Sequence, residues 1–146
     1  MKDLIKVIVG LLLLLAPEAA RSAEPVIIVN KSNPVSGMTA AQMKKLLLGQ
    51  QTKWKGGADV SVLLGPAGQP ERKIALHRFC GMDESAFTAW FLHAMFKGEN
   101  LAAPKSMPTS QSIVQIVQLV PGGIGVVSSA DVTSQVKVVS LAEAVE

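Results

Sequence analysis

Residues 25–49 read Pro25-Val-Ile-Ile-Val-Asn30, then Lys31-Ser-Asn-Pro-Val-Ser-Gly37, then Met38-Thr-Ala-Ala-Gln-Met-Lys-Lys-Leu-Leu-Leu-Gly49. The uninterrupted β-branched run Val26–Val29 suits a strand buried on both faces. Asn33-Pro34 and Ser36-Gly37 are turn chemistry. Thr39 with Gln42 three residues on predicts a capping box, which opens a helix through Met43, Leu46 and Leu47. Gly49 supplies its C-terminal stop. A buried strand running through a turn into an amphipathic helix is the opening of an α/β layer.

The same alternation continues downstream. A polar loop, Gln50 to Gly57, carries Trp54, and Val60-Ser-Val-Leu-Leu64 predicts a second strand. Gly65-Pro-Ala-Gly-Gln-Pro70 excludes regular structure, and Pro70 suits the first turn of the helix that follows. That helix presents Ala75, Leu76, Phe79 and Cys80 on one face and stops at Gly81. Asp83 caps the next, whose Phe87, Trp90, Phe91, Ala94 and Met95 form the expected core stripe. After a loop with two prolines, a helix starting at Ser110 carries Ile113, Ile116, Val117 and Val120, and Pro121-Gly-Gly123 ends it. Ile124–Val127 and Val136–Val139 predict the third and fourth strands, with a short helical tail after the last.

The chain has 146 residues, 17% of them charged, and a single Cys. One domain is the expectation at this length, and neither disorder nor an intramolecular disulfide framework fits. Lys2 and Lys6 precede Val7-Ile-Val-Gly10 and Leu11 to Leu15, an apolar core shorter than the roughly 20 residues a span requires. Residues 1–22 therefore read as a secretory signal peptide, with Ala20 and Ser22 as the small residues before the cleavage point. Residues 23–146 form the domain, and a periplasmic location follows. Without Lys2, Lys6, Arg21, Asp3 and Glu18, the totals of 14 basic and 11 acidic residues fall to 11 and 9. A net charge so small, with Lys44-Lys45 and Lys53/Lys55 as separate pairs, argues against a nucleic-acid partner.

The residues offer no catalytic centre. Cys80 lies on the stripe of Leu76 and Phe79 and reads as a small buried hydrophobe. His77 and His93 sit on different helices outside any metal-binding spacing, so no metal site is expected. Asp83 and Glu84 complement a helix N-terminus, and no nucleophile elbow occurs. Neither an enzyme nor a cofactor is indicated. The remaining candidate is the loop Gly65 to Glu71, which joins a strand end to a helix start, where α/β sheets hold small ligands and anions.

The order of these segments resembles the periplasmic phosphate-binding proteins of ABC transporters. The resemblance rests on Pro25–Asn30, on Met38–Gly49 with Thr52-Lys-Trp54, and on Leu119-Val-Pro-Gly-Gly-Ile-Gly-Val126. It implies one lobe of a type II periplasmic-binding-protein-like fold, an α/β domain with a mixed, mostly parallel sheet flanked by helices. It also implies a small anion or other small solute as ligand and a membrane transporter or sensor protein as partner. The chain matches only one of the family's two lobes, and a homodimer would restore a two-lobed cleft.

The family's anion loop pairs an Arg with Asp-Gly-Ser-Gly-Thr. Here Gly65 stands for the Arg, Gln69 for the Ser, Pro70 for the Gly and Glu71 for the Thr. Each hydrogen bond lost to a charged ligand costs about 1.5–3 kcal/mol, against roughly 8 kcal/mol for micromolar binding. Tight phosphate binding is therefore not expected. The ligand-contacting residues expected are Ser36, Gly68, Gln69 and Arg72, with Arg72 partly compensating for the missing Arg. A second reading stays open: an interaction module without a small ligand, presenting a sheet edge or an exposed Trp54 to a partner protein.

Overall fold

Val26–Val29 does become the centre of the sheet. In the computed structural model, which describes residues 24–142, strand β1 (Pro25–Asn30) pairs antiparallel with β5 (Gly123–Ser128) on one side and β6 (Val136–Ala142) on the other. Ile27, Ile28 and Val29 are buried because both faces of the strand are covered. Strand β2 (Gly37–Thr39) adds to β6 in parallel, and β3 (Ser61–Leu64) lies parallel to both β5 and β4 (Lys105–Ser106). The order is β2-β6-β1-β5-β3-β4, with three parallel pairings and two antiparallel.

Helices cover the two faces unequally. One face carries Ile27, Val29, Val62, Leu64, Ile124 and Val126 against α1 (Ala40–Leu47), α2 (Pro70–Ala75) with its π-helical continuation Leu76–Cys80, and Phe87 of α3 (Glu84–Phe96). The other carries Ile28, Leu63 and Val127 against α4 (Ser110–Leu119) alone. Gly125 makes that second contact close: a Cβ there would stand 2.4 Å from Ile113 Cγ2. The expected capping box forms, with Thr39 Oγ1 accepting from Gln42 N and Gln42 Oε1 accepting from Thr39 N.

Four expectations need correction. Strands β2 and β4, three and two residues long, were not anticipated, because stretches that short carry no periodicity. Ser140–Ala142 continue β6 in place of a helical tail, held by the parallel pairing with β2. Met95 is 70% exposed. Phe87 and Ala94, seven residues apart, set the buried line of α3, and Met95 lies about 100° around the helix from Ala94. Trp54 is buried, with its Nε1–H donating to Gly122 O at 2.9 Å, so it offers no exposed contact. The expected signal peptide lies outside the described residues. Among the described residues, no helix is long and apolar enough to cross a membrane.

Candidate functional site

The strand β3 ends in a buried Gly65, and the chain leaves the sheet over Pro66-Ala-Gly68 before entering α2 at Pro70. A turn closes this loop through Gln69 N donating to Pro66 O at 3.0 Å. Gly68 adopts φ 93°, which a side chain would strain. Gln69 is the N-cap residue of α2, yet its side chain accepts no bond from the helix. It folds back onto Gly65 instead: a Cβ at Gly65 would fall 1.8 Å from Gln69 Oε1. That oxygen is buried and accepts no hydrogen bond. The smallest residue thus stands where the resemblance places a guanidinium, and the carboxamide of Gln69 takes the volume above it.

The guanidinium of Arg72 is also committed within the protein. Its Nε and NH2 groups donate to the two carboxylate oxygens of Glu84, the NH2 bond at 3.1 Å. NH1 donates to Gly65 O at 3.0 Å. The cation lies 5.7 Å from the centre of the Phe87 ring. The Arg72 side chain is only 11% exposed. This fork ties the start of α2, the end of β3 and the first turn of α3 into one unit, and it neutralises the positive charge nearest the loop.

The four residues expected to contact a ligand do not all meet. Gly68, Gln69 and Arg72 share the β3–α2 loop. Ser36 lies beside β2, and its carbonyl accepts from Ser140 N and Ser140 Oγ, each at 3.2 Å. Three strands, β6, β1 and β5, separate β2 from β3. At roughly 4.8 Å per step, that places Ser36 about 19 Å across the sheet from the loop. Glu84 was not anticipated as a loop residue. It lies twelve residues beyond Arg72, and its position at a helix start gave a sufficient local explanation.

Elsewhere, Cys80 is buried, and desolvation pushes its thiol above the usual range. Among the described residues, no group of three or more His, Cys, Asp or Glu side chains is placed to hold a metal ion.

Comparison with solved structures finds the fold, though not the loop chemistry, in other proteins. An ABC-type phosphate transport receptor from Vibrio cholerae aligns with 82% of this chain and 46% of its own, at TM-score 0.55 and 19% identity. A protein from Clostridium perfringens, assigned as a phosphate ABC transporter substrate-binding protein and holding bound phosphate, aligns at TM-score 0.57 and 25% identity. It covers 82% of this chain and 45% of its own. The chain has the fold of phosphate-binding transport receptors. PstS from Borrelia burgdorferi repeats the receptor fold at TM-score 0.61 and 13% identity, over 82% of this chain and 47% of its own. The chain therefore spans about half the length of the receptors it matches. No protein-family model and no curated protein matches it.

Proposed function

We propose that this chain is an exported, non-enzymatic solute-binding-like domain whose anion loop is filled by its own side chains, so that inorganic phosphate is not a tight ligand. Residues 1–22 act as the export signal and residues 23–146 as the periplasmic domain. The observation that carries the reading is the Gln69 carboxamide folded onto Gly65. An oxyanion seated in the loop must displace that group and compete with Glu84 for Arg72. Gly68, Gln69 and Arg72 then govern whether any small anion is admitted, and Ser36 belongs to a separate surface. A membrane transporter or sensor protein is the partner that suits an exported domain of this fold.

Thermal unfolding in phosphate tests the reading. A ligand held at micromolar strength and present at about 10 mM would stabilise by RT ln(1 + [L]/Kd), about 5 kcal/mol. The domain reading predicts less than about 0.5 kcal/mol, or roughly 2 °C. A rise of many degrees overturns it.

One surface favours a protein partner as the principal contact. Leu92, Met95 and Phe96 lie at i, i+3 and i+4 on α3 and are 48%, 70% and 88% exposed. The change Phe96→Asp should leave the unfolding temperature unchanged and abolish co-purification with such a partner. Retained co-purification would remove this face from the account.

A further inference from the structure

Helix α3 turns Phe87 and Ala94 to the core, with Trp90 and Phe91 half-buried beside them. At about 100° per residue, Ser85, Thr88, Ala89, Leu92, Met95 and Phe96 all fall within roughly 60° of Leu92, on the opposite side of the helix. All six are exposed. None of the residues from Ser85 to Phe96 is Asp, Glu, Lys or Arg. A surface helix ordinarily carries its charges on the outer face, and one that is apolar all round is covered by something.

What covers it is indicated by how the face changes along its length. The first half carries the small residues Ser85, Thr88 and Ala89, and the second half the large Leu92, Met95 and Phe96. Opposite charges stand at the two ends, Asp83 at the N-cap and Lys97 at the C-cap, both exposed. Asp83 Oδ1 accepts only from a neutral donor, Ala86 N at 2.8 Å, so its charge is not neutralised there. Turned end for end against a copy of itself, each feature meets its complement. In the register that sets Leu92 opposite the partner's Ala89, Phe96 falls opposite the partner's Ser85 and Lys97 beside the partner's Asp83. There is room for the Phe96 ring: Asp83, Glu84 and Ser85 border a cavity of ≈ 440 Å³ shared with Lys73, Leu76 and His77. A parallel pairing would instead set large on large and like charge on like. A lipid surface favours helices rich in Lys and Arg on the polar side, whereas this one opens on Asp83 and Glu84.

We propose that this chain forms a two-fold symmetric dimer through antiparallel pairing of α3, with Phe96 of each protomer seated against the partner's Ser85; this rests on reading the face as a protein contact, and it names the protein. The contact involves about 17 Å of helix at 1.5 Å per residue, less than a standard stable interface offers. The dimer should accordingly be weak, with a Kd of about 10–100 µM.

Sedimentation equilibrium of the protein from about 5 to 500 µM tests this by mass action. Monomer should give way to dimer and to nothing larger, since a two-fold contact closes on itself. Phe96→Asp should stay monomeric throughout, with the wild-type unfolding midpoint at about 5 µM, where both proteins are monomers. Lys97→Glu should weaken the dimer about tenfold, roughly threefold for each of the two symmetric pairs. Asp83→Asn keeps the helix cap and removes the charge, so added to Lys97→Glu it should recover at least about threefold of that loss. A folded Phe96→Asp that still dimerises overturns the interface. An unchanged Kd in Lys97→Glu overturns the antiparallel register, and association beyond the dimer overturns the two-fold contact. Wild type that is monomeric at about 500 µM overturns the dimer altogether. In that case, co-purification with a different protein that Phe96→Asp abolishes would leave the face a protein contact. Binding to phosphatidylcholine–phosphatidylglycerol vesicles in its place would make it a lipid contact, and both readings would fall.

Discussion

Truncating Glu84 to Ala probes the closed loop directly. The Arg72 side chain is 11% exposed and that of Glu84 28%, so the pair is neither a surface ion pair nor a fully buried one. Breaking a buried pair from one side costs about 3–5 kcal/mol, while exposed pairs contribute at most about 1 kcal/mol. At this intermediate burial the loss should be about 2 kcal/mol. Arg72 keeps its bond to Gly65 O and its place against Phe87, which limits the damage. For a domain of this size the midpoint should fall by about 8 °C. The variant also leaves the guanidinium without its counter-charge, so a small oxyanion can take the carboxylate's place. If phosphate then binds at ~2 mM, a concentration of about 10 mM restores roughly 1 kcal/mol, near half of the loss. The assay is chemical denaturation of wild type and Glu84→Ala, with and without phosphate, at ionic strength matched with sodium chloride to cancel screening. A loss below about 0.5 kcal/mol would show that the fork does not hold the loop. Phosphate that stabilised both proteins equally would show that Glu84 does not compete for the anion site.

The remaining predictions concern packing and reactivity. Gly125→Ala drives a methyl toward Ile113 Cγ2, 2.4 Å away, and should cost about 1–3 kcal/mol in the same assay as α4 is pushed from the sheet. Asn30→Ala removes two bonds from Nδ2 to the carbonyls of Val117 and Gln118 and two accepted from Ser32; a loss of about 2–4 kcal/mol is expected. Cys80 should resist alkylation at pH 8 until the protein unfolds, because burial raises its thiol pKa. A folded-state pKa above the unfolded one means that this contribution to stability is complete below the unfolded thiol pKa. It is lost as pH rises through the folded one, so stability should decline on the alkaline side and Cys80→Ser should flatten that decline. Rapid native-state labelling would contradict the placement of Cys80.

Much of the fold was legible because local and tertiary demands agree along the chain. Val26–Val29 is continuous because both faces of β1 are covered, and Thr39 with Gln42 announced the start of α1 with side chains that do cap it. Legibility failed where only tertiary contact decides. Trp54 sits in a polar loop, and nothing within ten residues indicates that Gly122 O will receive its indole N–H. Strand β2 exists because β6 offers it an edge, which three residues cannot declare. At the candidate site, Gly65, Gln69 and Arg72 could be picked out as replacements in an anion loop. That Gln69 would fill the volume over Gly65, and that Glu84 would hold Arg72, depends on how α2 and α3 pack.

The most direct test of the central claim is the Gln69 side-chain amide itself, followed by ¹H–¹⁵N correlation spectroscopy while phosphate is added to the wild-type protein. A carboxamide that fills the loop should hold its position to about 10 mM phosphate, with any shift linear and equal to that in sulfate, since a Kd above that range leaves it in place. A saturable displacement of the Gln69 resonances at micromolar phosphate would mean that the loop is an open anion site, and the account of a self-filled receptor fold would be wrong.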